Sequence, residues 1–316
     1  MAKTAVIFPG QGAQKLGMLK DYYQDFQIVQ HTFAEASEAL GFDLWEIIQC
    51  DEEKLNQTEF TQPALLASSI AIWRVFEQMP ISQPALMAGH SLGEYSALVA
   101  AESLDFADGL RLVRARGQCM QSAVSDKPSA MSAILGLSDQ EVIDCCNKAS
   151  DQGVVEPANF NAYGQVVISG EKQAVEKANQ YAKAQGAKRA QLLSVSVPSH
   201  CSLMHEAAQK FTQALSNIDI KTPRIPVLHN FDVDMHRTPK DIRSVLVKQL
   251  YSPVQWTQTI EKIAENGVAE VIECGPNKVL TSLNKRITKS MSYMSTDEFM
   301  SVQELKSTGA SAIKNA

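Results

Sequence analysis

Residues 85–93 read Ala-Leu-Met-Ala-Gly-His-Ser-Leu-Gly, a short apolar run followed by the pattern Gly-x-Ser-x-Gly. This pattern, between a strand and a helix, is typical of a nucleophile elbow, a tight turn that exposes a serine hydroxyl. Glycines are needed on both sides because larger side chains would clash with neighbouring backbone. The stretch therefore predicts a strand at 85–88, a helix from about Leu92, and a nucleophilic Ser91 at a helix N-terminus, where free N–H groups can stabilise an oxyanion.

On both sides of this turn, short β-branched runs alternate with longer segments of helical period. Strands are predicted at 4–8, 227–228 and 270–273, and helices at 22–40, 63–77, 109–120, 240–250 and 254–266. Such alternation favours an α/β fold with a mainly parallel sheet.

Residues 127–197 follow a different order. Strands are predicted at 130–137, 154–160, 165–169 and 188–195, with helices at 138–151 and 171–185. This β-α-β-β-α-β order is that of a ferredoxin-like unit. We expect a subdomain at 127–197 inserted into a catalytic core of residues 1–126 and 198–288. The polar tail, 289–316, is expected to be loosely held from Ser290 onward.

Composition limits the function classes. With 45% hydrophobic and 20% charged residues among 316, the chain is globular in character, and its net charge of -6 argues against binding nucleic acid or anionic membranes. The run at 5–8 is shorter than the apolar region of a secretory signal, and no stretch reaches the roughly 18 apolar residues of a membrane span. Six cysteines without a zinc-like spacing predict reduced thiols in the cytoplasm and no metal site.

A base for Ser91 has to be found among six histidines. His90 is adjacent to Ser91, and neighbours on a turn usually point apart, so we expect a structural role for it. His200 follows the apolar run 192–197 and is expected at a strand end, where sites of open α/β sheets gather. Since no acidic residue stands out as a third member, the simplest arrangement is a Ser–His dyad oriented by a backbone carbonyl.

The turn Gly10-Gln11-Gly12 follows the first predicted strand. It lacks the third glycine of a dinucleotide-binding motif, because that position is Lys15. A tight turn of this kind instead lets the Gln11 N–H approach an acyl oxygen alongside that of Leu92, as a second oxyanion donor.

Several separate motifs together resemble the malonyl-CoA:acyl carrier protein transacylase family, of the free-standing bacterial type. They are Phe8-Pro9-Gly10-Gln11-Gly12-Ala13-Gln14, Thr61-Gln62-Pro63-Ala64, Gly89-His90-Ser91-Leu92-Gly93-Glu94-Tyr95, Arg116-Gly117 with Met120-Gln121, Asn159-Phe160-Asn161, Val197-Pro198-Ser199-His200 and Glu273-Cys274-Gly275-Pro276. The resemblance covers about residues 1–288 in the family's order. It implies a hydrolase-like α/β core with an inserted ferredoxin-like subdomain.

The resemblance also implies roles for individual residues. These are Ser91 as nucleophile, His200 as base, the backbone N–H groups of Gln11 and Leu92 as oxyanion donors, Arg116 as partner of the malonyl carboxylate, the backbone carbonyl of Gln249 as orienter of His200, and Gln62, Asn161 and Gln165 as residues lining the cleft.

The reaction implied is malonyl transfer from malonyl-CoA to the phosphopantetheine thiol of acyl carrier protein, through a malonyl-Ser91 ester, in support of fatty-acid synthesis. Neither a metal nor an organic cofactor is expected, because the thioester substrate is already activated. Alternatives are a serine thioesterase or esterase, a trans-acting acyltransferase of polyketide synthesis, and a catalytically silent module that holds a carrier protein. An acidic carrier protein is expected to dock on a local basic surface made of Lys188, Arg189, Lys278, Lys285 and Arg286.

Overall fold

The computed structural model describes residues 3–79, 83–123, 128–195 and 197–297. Within these ranges the strands are β1 (Lys3–Phe8), β2 (Leu86–Gly89), β3 (Ser129–Leu135), β4 (Val155–Ala162), β5 (Gln165–Glu171), β6 (Arg189–Leu192), β7 (Val227–Leu228), β8 (Val268–Glu273) and β9 (Ser292–Ser295). The helices are α1 (Lys20–Asp25), α2 (Gln27–Leu40), α3 (Leu44–Cys50), α4 (Glu52–Leu55), α5 (Thr58–Glu77), α6 (Gly93–Ala100), α7 (Phe106–Ser122), α8 (Asp139–Ala149), α9 (Lys172–Ala184), α10 (His205–Ser216), α11 (Pro239–Gln249), α12 (Trp256–Glu265) and α13 (Val279–Ile287).

The larger sheet is parallel at every pair, with the order β7-β2-β1-β8-β9. Its central strand β1 is covered on both faces. Val6 and Phe8 pack into a core with α2, α5, α7 and α10, whereas Ala5 and Ile7 pack with α12 and α13. Helices on both faces explain why this strand is a continuous apolar run. The prediction of a mainly parallel α/β sheet is confirmed.

The smaller sheet is antiparallel, with the order β4-β5-β3-β6. In chain order it reads β3-α8-β4-β5-α9-β6, which is the ferredoxin-like connection predicted from the sequence. Helices α8 and α9 cover one face around Ile134, Val166 and Ile168. The opposite face carries Met131 and Val167 toward the cleft described below.

Two predicted helices differ from those observed. The segment 22–40 is interrupted at Phe26, whose backbone is extended with φ -127° and ψ 111°, so that α1 and α2 are separate. Helix α5 begins at Thr58, five residues before Pro63. Pro63 therefore lies inside a helix of 20 residues, where its missing N–H removes one intrahelical hydrogen bond and burial of most of the helix compensates for the loss.

The expectation of a loose tail from Ser290 was wrong for Ser292–Ser295, which pair with β8 as the edge strand β9. The next residue is also anchored, because the Tyr22 hydroxyl donates to the Thr296 carbonyl at 2.5 Å. Residues 298–316 of the predicted tail lie outside the described residues, as does the predicted boundary at 126/127. In the described ranges, no helix has both the length and the apolar character needed to cross a membrane.

Candidate active site

The elbow holds Ser91 between β2 and α6 with a left-handed backbone, φ 51°. A Cβ atom on Gly89 would lie 1.9 Å from the carbonyl carbon of Gly93, and one on Gly93 would lie 2.0 Å from the Phe8 oxygen. Only glycine fits at either position. The strained turn thus presents the Ser91 hydroxyl at the entrance to a helix.

Ser91 and His200 form a hydrogen-bonded pair, with Oγ to Nε2 at 2.8 Å. The other ring nitrogen, Nδ1, lies 2.8 Å from the backbone oxygen of Gln249. Because a carbonyl only accepts, Nδ1 carries the proton and Nε2 is left as the acceptor for the serine hydroxyl. His200 is itself in the left-handed region, φ 63°, and its N–H donates to the Leu250 carbonyl at 3.0 Å. The geometry is that of a dyad oriented by a backbone carbonyl.

The surroundings of His200 keep its imidazole neutral. Its side chain is buried, and burial followed by the positive charge of Arg116 lowers the pKa of His200 from 6.5 to about 3. Both effects disfavour the imidazolium. At neutral pH, His200 is therefore in the form that can accept a proton.

Arg116 extends from α7 to Ser91 and is only 2% exposed. Its Nη1 donates to Gln62 Oε1 at 2.9 Å, and its Nη2 to Gln249 Oε1 at 3.1 Å. Nη2 also lies 3.4 Å from Ser91 Oγ, and the guanidinium carbon is 5.4 Å from the Tyr95 ring centroid. Neutral amide oxygens hold this buried cation, so its charge is available to an anionic group placed beside Ser91.

Both sheets contribute to a cleft of about 190 Å³ around this pair. Gln11 and Leu92 line it next to Ser91, as two backbone oxyanion donors would. Much of the cleft lining is apolar and includes Met131, Val167, Leu193, Val195, Val197, Val279, Leu280 and Leu283. Among the described residues, no group of three or more His, Cys, Asp or Glu side chains is arranged to hold a metal ion.

The remaining predicted cleft residues fall in different places. Asn161 lines the cleft, and its Oδ1 lies 2.7 Å from His90 Nε2. Gln62 is fully buried behind the cleft, where it contacts Arg116 rather than the open space. Gln165 lies at the start of β5, outside the cleft, with its Oε1 accepting from Arg286 at 2.5 Å.

A buried polar cluster beneath the elbow was missed from the sequence. Asn230 accepts the Ser91 N–H at 2.7 Å and donates to the Gly89 carbonyl at 2.6 Å, so it holds the backbone of the turn at two points. Glu94 is fully buried and accepts from His229 Nδ1 at 2.7 Å, the Asn230 N–H at 3.0 Å and Gln249 Nε2 at 2.8 Å. The available signal was a lone carboxylate in the apolar first turn of α6.

Known proteins resemble this chain over most of its length. The chain matches the family model described as acyl transferase domain over residues 5–309. It is 51% identical over 299 residues to the malonyl CoA-acyl carrier protein transacylase of Salmonella typhimurium, a match that covers 94% of this chain and 97% of that protein.

Two solved structures are similar along nearly their whole length. An acyl carrier protein S-malonyltransferase from Vibrio cholerae has a TM-score of 0.94 and 50% identity, covering 96% of this chain and 100% of that chain. A malonyl-transacylase in complex with its type II PKS acyl-carrier protein has the same TM-score, 0.94, and 50% identity, covering 96% of this chain and 98% of that chain. The chain belongs to the malonyl-CoA:acyl carrier protein transacylase family.

Proposed function

We propose that this protein transfers the malonyl group from malonyl-CoA to the phosphopantetheine thiol of acyl carrier protein, through a malonyl ester on Ser91. The observation that carries this proposal is the placement of Arg116, a buried cation held by amides 3.4 Å from the nucleophile. Malonyl differs from acetyl by one carboxylate. A guanidinium binds a carboxylate through two parallel charge-assisted hydrogen bonds, so this site selects a dicarboxylic acyl group. The names of the related proteins support the same reaction.

In the first half-reaction, Ser91 Oγ attacks the thioester carbonyl while His200 Nε2 takes the hydroxyl proton. The oxygen of the tetrahedral intermediate receives hydrogen bonds from the backbone N–H groups of Gln11 and Leu92. The C–S bond then breaks, and the imidazolium of His200 returns its proton to the departing CoA sulfur. The malonyl group is left as an ester on the serine.

In the second half-reaction, His200 takes the proton of the phosphopantetheine thiol, whose sulfur attacks the ester carbonyl. The C–O bond to Ser91 breaks, and the serine oxygen regains its proton from His200. This is a ping-pong transfer between two thiols. Because a thioester is already activated, we propose that no metal or organic cofactor takes part.

The same proposal extends to the organisation and location of the chain. We take residues 1–126 and 198–288 as the catalytic core, 127–197 as the inserted subdomain and 289–316 as the tail. A cytoplasmic location is supported by six cysteines that are all free, since oxidising compartments favour disulfides.

A single assay separates transfer from hydrolysis. The protein is incubated with malonyl-CoA, with and without a carrier protein that bears phosphopantetheine, and malonyl carrier protein and free malonate are both quantified. Transfer predicts malonyl carrier protein as the main product. Equal malonate release under both conditions, with no loaded carrier, would instead identify a thioesterase. Carrier proteins of fatty-acid synthesis and of polyketide synthesis are assayed in parallel to show which pathway the protein serves. We propose that it serves fatty-acid synthesis.

A further inference from the structure

The side-chain amide of Gln249 lies at the centre of the buried cluster. Its Oε1 accepts from Arg116, while its Nε2 donates to the Ser91 carbonyl at 2.9 Å and to Glu94 at 2.8 Å. Both N–H bonds of this amide and its oxygen are therefore engaged. The backbone oxygen of the same residue orients His200. A residue that fixes the position of the Gln249 amide therefore also fixes the position of the Arg116 guanidinium.

Glu94 supplies the only anionic contact of that amide in the described part of the chain. Its two carboxylate oxygens also accept from His229 Nδ1 and the Asn230 N–H, two groups on the segment that braces the elbow. The Glu94 side chain is fully buried and does not line the cleft. It can therefore act on a bound substrate only through its neighbours.

The amide separates Glu94 from Arg116 and changes how the two charges interact. A direct ion pair would occupy the guanidinium and compete with a substrate carboxylate for it. With one amide between them, the carboxylate still acts electrostatically: burial lowers the pKa of Arg116, while Tyr95 and Glu94 raise it. The cation is stabilised in a buried position, and its Nη2 stays directed at Ser91.

We propose that Glu94 is a positioning residue for malonyl selection, because it fixes the Gln249 amide that holds Arg116. This inference rests on the proposed function. Loss of the carboxylate frees one amide N–H and lets the guanidinium move away from the nucleophile. The value of kcat/KM then falls more for malonyl-CoA than for acetyl-CoA, because only the malonyl carboxylate binds the guanidinium.

The test is the ratio of kcat/KM for malonyl-CoA to kcat/KM for acetyl-CoA. Glu94→Ala is expected to lower this ratio about tenfold, the effect of about one lost hydrogen bond to a charged group. Glu94→Gln, whose amide oxygen can still accept from Gln249, is expected to keep the ratio within about threefold of the wild type. Gln249→Met keeps the backbone carbonyl but loses the amide, so it should lower the ratio as Glu94→Ala does.

A double-mutant cycle makes the coupling explicit. If Glu94 acts through the amide, adding Glu94→Ala to Gln249→Met produces no further change in the ratio. The matched control is Asn179→Ala, which removes a buried hydrogen bond from Ser132 in the smaller sheet and should leave the ratio unchanged.

The outcomes are distinct. If Glu94→Ala leaves the ratio unchanged, whether both activities fall equally or neither falls, the positioning role is overturned. Malonyl transfer by the wild type would still support the proposed function. If Glu94→Ala does not fold, an unchanged ratio in Gln249→Met overturns the positioning role equally. Absence of malonyl transfer by the wild type would overturn the proposed function and this inference together.

Discussion

Arg116 and Ser91 lie side by side in the cleft, with Nη2 3.4 Å from Oγ. One residue comes from α7 and the other from the turn before α6, so the contact is a product of the fold. Because a buried cation lies against Ser91, the carboxylate of a malonyl group carried on Ser91 would lie within reach of the guanidinium. We therefore expect acyl selection and acyl transfer to take place at the same point in the cleft.

Replacing Arg116 by alanine should separate malonyl from acetyl transfer. Removing one member of a desolvated charge pair costs about 3 to 5 kcal/mol, or roughly 10²- to 10³·⁵-fold in rate. Malonyl transfer should fall by that factor, whereas acetyl transfer is kept or improved. Both substrates are measured on one preparation, which controls for misfolding. Equal losses would mean that Arg116 supports the fold instead.

Arg116→Lys tests geometry at constant charge. The ammonium of lysine cannot make the two parallel hydrogen bonds of a guanidinium. We expect malonyl kcat/KM between the values of the wild type and the alanine variant, and wild-type activity would show that charge alone is enough.

Removing the base should slow acylation without abolishing the nucleophile. His200→Ala is expected to reduce the rate of malonyl-ester formation by about 10²- to 10⁴-fold, the usual range for a lost general base. Stopped-flow or quench measurements of the first half-reaction give this rate directly. An unimpaired rate would exclude His200 from proton transfer.

The pH profile follows from the lowered pKa of His200, about 3. The neutral imidazole is the active form, so activity is lost only as the pH falls through the folded pKa. Between pH 8 and pH 5, kcat/KM for acetyl-CoA should show no step near 6.5. In Arg116→Ala the nearby cation is gone, so the pKa of His200 rises and the acid limb moves to higher pH. An acid limb at the same pH in both proteins would contradict this electrostatic account.

The basic surface formed by Lys188, Arg189, Lys278, Lys285 and Arg286 is predicted to receive the carrier protein. All five side chains are exposed, and two of them belong to α13, which also lines the cleft. Charge reversal at the five should raise KM for the carrier protein and weaken its salt dependence, with acylation by malonyl-CoA unchanged.

Lys148, Lys172 and Lys183, which are exposed on α8 and α9, serve as the control set. Reversal of these charges should leave carrier-protein kinetics unchanged. Equal effects of the two sets would mean that net charge, rather than a docking surface, governs the encounter.

The elbow was predictable from sequence because its Gly-x-Ser-x-Gly pattern lies within five residues. The clash that requires Gly89 is with the backbone of Gly93, and the strand-to-helix context of Ser91 is also local. The clash that requires Gly93 is with Phe8 of β1, so that glycine also depends on a distant strand. The β-α-β-β-α-β order of the smaller sheet was predictable for a similar reason. The spacing of apolar residues identifies each strand and helix locally, and connection rules limit the topology.

Contacts between distant positions were not predictable in this way. Glu94 and Asn230 are 136 positions apart, and nothing in either segment specifies the other. The pairing of His200 with Ser91, 109 positions apart, was implied by family resemblance rather than by spacing. Strand β9 was missed because its four residues pair through their backbone and have little apolar pattern.

The central claim, a malonyl ester on Ser91, is tested most directly by intact-mass spectrometry. The wild-type protein mixed with malonyl-CoA should gain the mass of one malonyl group, and addition of carrier protein bearing phosphopantetheine should remove it. Ser91→Ala should gain no mass. A persistent adduct in that variant, or a wild-type adduct that the carrier protein cannot discharge, would contradict transfer through this serine.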